Sequence, residues 1–271
     1  MSPPPVILDL IRDASFVQHV EWHDTIASTN DRGNELARNA DLETPLLILA
    51  GRQTAGRGRG SNRWWSGAGS LTFTVVFDPQ RDLEAARLSP VPIEFWPRVA
   101  LVAGVALCDI LENMLPSDPC RLKWPNDVLL AGKKVSGILV EIPPTSPGVP
   151  RRLVLGMGIN VNNSLSAAPA EIQAVATSLC DVAGDRFDST QLLIDWLNGF
   201  VNRLGALAAG DRKLAERWQS RCALHGKTIE LQSGSRTVQG VCRGIDIDGA
   251  LLLDTSTGPE RLYAGVLVRV I

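Results

Sequence analysis

Leu46-Leu-Ile-Leu-Ala50 runs directly into Gly51-Arg-Gln-Thr-Ala-Gly-Arg-Gly-Arg-Gly-Ser-Asn-Arg-Trp-Trp-Ser-Gly-Ala-Gly69, and after Ser70 the chain continues as Leu71-Thr-Phe-Thr-Val-Val-Phe77. The flanking runs are apolar or rich in β-branched and aromatic residues, which predicts a strand on each side of a nineteen-residue loop. A loop that joins strand to strand is not a dinucleotide fingerprint, whose glycines open a helix. Nor is it a P-loop, because no Gly, four residues, Gly-Lys-Ser/Thr string occurs in the chain. The loop does hold six glycines and four arginines. Glycine lets backbone N–H groups turn toward a ligand, and arginine supplies forked donors that match carboxylate and phosphate, so the segment reads as an anion trap. Such a loop is expected to be mobile when empty and ordered by an anion that bridges its arginines. A long solvated hairpin is the plain alternative.

The 271 residues exceed the usual single-domain size, which predicts one large domain and one small one. With 45% apolar residues the chain can bury a substantial core. A net charge of −2 argues against a general nucleic-acid or membrane-surface binder, so the positive charge is local. Met1-Ser-Pro-Pro-Pro5 lacks the basic start and apolar run of a signal peptide, and no stretch reaches the roughly 18 apolar residues of a membrane span. A cytoplasmic protein is expected. Cys108, Cys120, Cys180, Cys222 and Cys242 form no C-x-x-C pair and read as small core residues. His19, His23 and His225 show no metal-ligand clustering beyond one i, i+4 pair in a segment that reads as extended. Of 27 basic residues only five are lysines, yet Lys123, Lys133 and Lys134 fall within twelve positions, which suggests compact point charges where arginine is otherwise the default. For Lys133, a surface turn at Ala131-Gly-Lys-Lys134 is the plainer account.

Along the chain, 16–22 reads as a strand, and Ser28-Thr-Asn-Asp31 has the spacing of a helix cap before a helix reaching Arg38. Residues 98–115 carry apolar positions at helical spacing and predict a core helix. Strands are expected over 120–124, 128–130, 136–141 and 153–158, then helices over 190–208, opened by Ser189, and 213–222. Beyond Gly226 the texture changes to short β-like runs broken by turns, with Asp248-Gly249 as a hairpin signal. Residues 1–223 therefore read as a mixed α/β domain and 224–271 as a small β-barrel that leans on it.

Lys123-Trp-Pro-Asn-Asp127 sets a lysine and an aspartate at the mouth of a strand, and Asn-Asp is also ordinary turn chemistry. Lys134 follows just before Ser136-Gly137, where a glycine in a strand lets a ligand approach the backbone. Taken in order, Gly56-Arg-Gly-Arg-Gly-Ser-Asn-Arg-Trp64, Lys123-Trp-Pro-Asn-Asp127, Gly132-Lys-Lys-Val-Ser-Gly-Ile-Leu-Val-Glu141 and Gly156-Met-Gly-Ile-Asn160 closely resemble the biotin protein ligases. Arg243-Gly-Ile-Asp-Ile-Asp-Gly-Ala-Leu-Leu252 resembles that family's carboxy-terminal SH3-like barrel. The resemblance covers the chain from about Val20 onward.

It implies an α/β (α+β) fold: a class II aminoacyl-tRNA synthetase-like mixed sheet with flanking helices, followed by the SH3-like barrel. It also implies a two-step reaction, in which biotin's carboxylate attacks the α-phosphate of Mg-ATP to give biotinyl-5′-AMP, and a lysine of a biotin carboxyl carrier domain then attacks the acyl adenylate. The carrier would belong to acetyl-CoA carboxylase or another biotin-dependent carboxylase. Cations must be fixed where a carboxylate meets a polyphosphate, and by the resemblance these are Arg57, Arg59, Lys134 and Lys123. Ser28, Thr29, Asn30 and Gln53 match the positions for biotin's ureido ring, with Gly58 and Gly137 beside the ligand; helix capping by Ser28 is compatible with that role. Trp64 and Asn160 match the adenine platform and edge, and Arg243 a position reaching the nucleotide. Asp127 matches the group that orients or deprotonates the incoming lysine, with Mg2+ coordination as its alternative. About 20 residues precede the first predicted strand, too few for the helix-turn-helix of DNA-binding family members; no DNA partner, no membrane partner, and a monomer or homodimer are expected. Rival readings are a lipoate or octanoyl ligase-like enzyme and a noncatalytic adenylate-binding regulator.

Overall fold

A computed structural model describes residues 5–84 and 86–271. Residues 1–4, within the stretch read above for the absence of a signal peptide, lie outside the described residues. The helices are α1 (Pro5–Asp13), α2 (Thr29–Leu36), α3 (Val99–Met114), α4 (Ala170–Val175), α5 (Leu179–Ala183), α6 (Ser189–Ala208) and α7 (Arg212–Ser220). The strands are β1 (His19–His23), β2 (Leu46–Ala50), β3 (Leu71–Phe77), β4 (Cys120–Lys123), β5 (Asp127–Leu130), β6 (Lys133–Glu141), β7 (Leu153–Ile159), β8 (Thr228–Ser233), β9 (Arg236–Ile245), β10 (Leu251–Thr255), β11 (Gly258–Leu262) and β12 (Val266–Val270).

The first seven strands form one sheet in the order β1-β2-β3-β7-β6-β5-β4. Only β1 and β2 run parallel, so the sheet is mixed as expected. Period-two alternation divides its faces. Phe73, Val75 and Phe77 of β3, with Leu153, Leu155 and Met157 of β7, enter the large core built with α3 and α6. Val76 and Val154 turn the other way, into a small cluster with Leu46, Ile48 and Ala37 beneath α2. In the large core the Trp196 and Phe200 rings stack at 4.9 Å, and Phe73 meets Trp196 edge-on at 5.0 Å. Trp196 also satisfies its indole by donating to the Ala103 carbonyl of α3 at 3.2 Å.

The second sheet is antiparallel, in the order β11-β10-β9-β8-β12. The predicted turn at Asp248-Gly249 lies between β9 and β10, with Gly249 at φ 82° and its N–H donating to the Asp246 carbonyl at 3.0 Å. The last strand returns to pair with β8, and among the described residues the edges β11 and β12 share no ladder. The expected barrel is therefore an open five-stranded unit. It rests on the larger domain through that same turn: Trp124 Nε1 donates to the Gly249 carbonyl at 3.1 Å, Trp218 Nε1 to the Asp246 carbonyl at 2.8 Å, and Arg98 pairs with Asp248 at 3.0 Å.

Three local expectations change. Helices α1, α4 and α5 are not among the expected elements; α1 packs Ile11 into the core and Ile7 and Leu8 against it. The first strand begins at His19 rather than residue 16. Helix α6 opens on Asp188, whose carboxylate accepts from the N–H groups of Thr190 and Gln191, so Ser189 is the first helical residue rather than the cap. The cysteines meet expectation: all five are free, four are buried, and Cys180 is partly buried.

Asp109 of α3 gathers Arg203 of α6 at 2.7 Å, Arg217 of α7 at 2.9 Å and Arg221 at 2.8 Å. Arg221 also holds Glu112 at 2.6 Å, and that bond, ahead of the opposing effect of burial, pushes its guanidinium pKa further up. One carboxylate thus cross-links three helical segments. Asp109→Ala leaves Arg203 and Arg217 without this partner while Arg221 keeps Glu112, and is expected to cost about 1 kcal/mol, read as a lower urea midpoint at unchanged slope; an unchanged midpoint would show the cluster to be screened by solvent.

Candidate functional site

A cleft of about 660 Å³ opens over the larger sheet, within the range of small-molecule sites. Its floor is made by glycines placed side by side on adjacent strands. Gly137 of β6 pairs with Gly158 of β7, and Gly156 of β7 with Leu139 of β6. A Cβ at Gly158 would lie 2.2 Å from the Trp64 ring, and one at Gly156 would lie 1.7 Å from Asn30 Oδ1. These strands must be bare for Trp64 and Asn30 to lie on them.

The glycine- and arginine-rich loop closes one wall as a small hairpin of its own. Arg57 and Arg63 face each other as a bridge, Gly58 N–H donates to the Asn62 carbonyl at 2.8 Å, and Trp64 N–H donates to the Gly56 carbonyl at 2.9 Å. A Cβ at Gly56 would lie 2.7 Å from that Trp64 carbonyl, which accounts for one loop glycine by close approach. The structure thus gives the loop an internal ladder that the strand–loop–strand reading lacked.

Helix α2 supplies the far wall. Ser28 caps it, its Oγ accepting from Asp31 N–H, and keeps a hydroxyl proton to donate elsewhere. Gln53 Oε1 accepts from Thr29 N–H at 2.7 Å and from Thr29 Oγ at 3.1 Å, which leaves the Gln53 amide NH2 unspent by these bonds. Asn30 is 4% exposed and donates to Glu141 Oε2 at 3.0 Å, while its Oδ1 accepts from Thr74 at 2.9 Å. Glu141 also accepts from Asn34 at 2.7 Å and from Arg57, whose Nη2 lies 2.8 Å away; Arg57 reaches Asp31 at 2.9 Å as well. Burial pushes the Glu141 pKa up, but the bonds from Asn30, Arg57 and Asn34 outweigh it and hold the carboxyl below the usual glutamate value.

Lys123 and Asp127 face each other across the β4–β5 pair, and Asn126 fastens the turn between them by donating to the Ile138 carbonyl at 2.7 Å. Lys134 Nζ lies 2.6 Å from Asp127 Oδ1 and 5.9 Å from the centre of the Trp64 ring. Lys133 takes the plainer path, donating to the Gln173 carbonyl at 3.1 Å from the exposed end of β6. Arg59 is a different kind of cation. Its guanidinium donates to the Gly265 carbonyl of the second sheet, has no carboxylate partner among the described residues, and is lowered in pKa by burial.

Ser28, Thr29, Asn30, Gln53, Arg57, Gly58, Arg59, Trp64, Lys123, Asp127, Lys134, Gly137 and Asn160 all line this cleft. Arg243 does not; it pairs with Asp254 across the β9–β10 ladder at 2.6 Å and is absent from the lining. The second sheet reaches the cleft instead through Gly265, Val266 and Leu267. Sequence reasoning did not nominate those three, since nothing local marks them. It also passed over Glu141, although an acid closing an otherwise apolar strand was a usable signal. Among the described residues no three side chains are grouped to hold a metal ion.

Residues 22–160 match the biotin/lipoate A/B protein ligase family, and residues 224–268 match the biotin protein ligase C-terminal domain. The chain is 33% identical over 251 residues to a bifunctional ligase/repressor of Bacillus subtilis, covering 91% of this chain and 73% of that one. It is 31% identical to a biotin--[acetyl-CoA-carboxylase] ligase of Mycobacterium tuberculosis, covering 98% of this chain and 97% of that one. Among solved structures it is similar to the biotin protein ligase from Aquifex aeolicus in complex with biotin and ATP, with a TM-score of 0.77, 27% identity, and coverage of 94% of this chain and all of that one.

Because Glu141 is depressed in the folded state, the bonds it makes contribute fully above the ordinary glutamate pKa, decline as pH falls below it, and vanish beneath the lowered folded value. Glu141→Gln is therefore expected to be less stable than the unaltered protein at neutral pH and equal to it at the acid end. A stability difference that does not change with pH, measured by urea unfolding across that range, would rule out the charge as its origin.

Proposed function

The chain belongs to the biotin/lipoate A/B protein ligase family and carries its biotin protein ligase C-terminal domain, and we propose that the cleft is where it joins biotin to ATP and then to a protein lysine. It is a biotin--[biotin carboxyl-carrier protein] ligase that forms biotinyl-5′-AMP and transfers the biotinyl group. In the first step a biotin carboxylate oxygen bonds to the α-phosphorus and pyrophosphate leaves. In the second, a carrier lysine nitrogen bonds to the acyl carbon, AMP leaves, and the nitrogen loses a proton.

The observation that carries the assignment of residues is convergence. Segments 28–30, 53–64, 123–127, 134–137 and 156–160 are far apart in the chain, yet all line one cleft. In this reading Ser28, Thr29 and Gln53 hold the ureido ring, and Asn30 acts by setting the floor above Gly156. Trp64 carries the adenine, and Asn160 meets its edge. Arg57 and Arg59 meet the joined carboxylate and phosphate. Arg57 is the better anchored, while Arg59 lacks a counter-charge until an anion arrives.

Lys134 and Asp127 divide the two steps between them. An acyl phosphate draws Lys134 Nζ away from Asp127, stabilising the oxygens on which charge grows. Asp127 is left with an acceptor free just when the carrier lysine, whose ordinary pKa is about 10.4, must lose a proton. Mg2+ enters with the triphosphate. Among the described residues no three side chains are grouped to cage it, and Asp127 could coordinate it only if Lys134 moved aside. The carrier is the biotin carboxyl carrier domain of acetyl-CoA carboxylase or another biotin-dependent carboxylase. We place the division between catalytic and carboxy-terminal units at residues 223 and 224. The site is one for the cytoplasm, where biotin and ATP are available, and no helix among the described residues is long and apolar enough to cross a membrane.

Purified protein with biotin and Mg-ATP is expected to release pyrophosphate, and adding a carrier domain to shift its mass by one biotinyl group. Lipoate in place of biotin giving the only signal would move the chain to the lipoate side of the family. Lys134→Ala should lower the rate of pyrophosphate release by about 10²-fold, and an unchanged rate would refute its role.

A further inference from the structure

Arg57 brings to the cleft wall five N–H donors fixed in one plane. Three of them are in use. Nη1 donates to Asp31 Oδ1 at 2.9 Å and to Glu141 Oε2 at 3.0 Å, and Nη2 donates to Glu141 Oε1 at 2.8 Å. Glu141 thus takes the end of the guanidinium with both oxygens, and Asp31 takes the flank beyond Nη1. The two donors left over, Nε–H and the second N–H of Nη2, share the remaining edge and have no partner among the described residues. That edge is a fork made for a carboxylate. Arg221 uses the same edge on Glu112, with Nε at 3.0 Å and Nη2 at 2.6 Å.

The two acids are themselves held. Glu141 Oε2 also accepts from Asn30 at 3.0 Å and from Asn34 at 2.7 Å. Asp31 stands in the first turn of α2, where its N–H donates to Ser28 Oγ at 3.3 Å. Among the described residues neither acid lines the cleft. Both are negative beside a place assigned to an anion, and charge alone would weaken what binds there. Their presence calls for another account.

We infer that Asp31 and Glu141 are positioning residues that turn the Nε–Nη2 edge of Arg57 toward the carboxylate of biotin, so that Arg57 binds as a preset fork and not as a mobile charge. The inference rests on the assignment of the cleft to biotin above and adds how the acid end of that ligand is gripped. A long arginine loses rotamer freedom when it is ordered. Here the ordering precedes the ligand, so binding does not bear that loss. Asp31 follows directly on Ser28 and Thr29, so one turn of α2 sets both the place of the ring and the aim of the fork.

Calorimetric titration of the full chain, without nucleotide, compares biotin with biotinamide, in which a neutral carboxamide stands in for the carboxylate. Asp31→Asn should weaken biotin by about fivefold, the scale of one exposed ion pair, and leave biotinamide unchanged. In an Arg57→Ala background the same substitution should have no effect, which places its action on Arg57. Acids that act through charge alone give the opposite sign, because loss of a negative charge would tighten biotin. Unchanged or tighter biotin in Asp31→Asn, an equal loss for biotinamide, or a loss that persists without Arg57 would each overturn the inference. Glu141→Gln should shift biotin in the same direction at neutral pH, and it decides alone if Asp31→Asn does not fold. No binding of biotin by the unaltered protein would refute the ligase reading, a result distinct from binding that Asp31 does not influence.

Discussion

The site depends on one half-buried carboxylate. Glu141 stands at the end of β6 and takes hydrogen bonds from Asn30 and Asn34 of α2 and from Arg57 of the loop. Without those donors its desolvation would favour the neutral acid, and with them it stays charged. A charge so placed orders three segments at once: the helix that forms one wall, the strand beneath, and the loop that closes over. Arg57 has fixed anions when no ligand is present, and Glu141 is one of the two that hold it.

The second constraint is space. Asn30 can sit above β7 only because residue 156 has no side chain, and Trp64 can lie on β7 only because residue 158 has none, while a Cβ at 137 would crowd the end of Lys134 at 3.1 Å. The glycines in the Ser-Gly and Gly-Met-Gly strings are thus places where another group occupies the room a Cβ would need. This explains why a sheet otherwise built of Val, Leu, Ile and Phe gives up apolar contact in the middle of two central strands. The burial lost there is recovered on the opposite face, where Met157, Leu155 and the Trp196–Phe200 stack fill the large core.

The cations are provisioned differently for different tasks. Arg57 is held by two carboxylates, Lys134 by one, and Arg59 by a single backbone carbonyl. That gradient runs from a group that organises the loop to groups that can leave their partners for a ligand. Lysine at 134 suits a partner exchange, since a compact ammonium makes one short contact where a guanidinium would make a bidentate one.

Much of this was legible from residue order. Alternating and helical apolar spacing located most of the elements, because each pattern can bury its apolar face in only one way. The glycine-arginine loop, Lys123–Asp127 and the glycine strings pointed to the cleft because their residue types are locally unusual, and the individual site residues followed from their resemblance to the biotin protein ligases. Ends and caps were less legible: Asp188 rather than Ser189 caps α6, since both residue types cap well and only the backbone path chooses. What tertiary structure alone decided is which distant groups meet. Arg59 reaches Gly265 and Trp124 reaches Gly249 because the small sheet docks there, Arg243 is turned to Asp254 by the β9–β10 pairing, and Asn160 donates to a carbonyl seventeen positions away in sequence. Local composition determines which groups a segment can offer, but partners across the fold are chosen by the paths of other segments, and no periodicity within one segment records them.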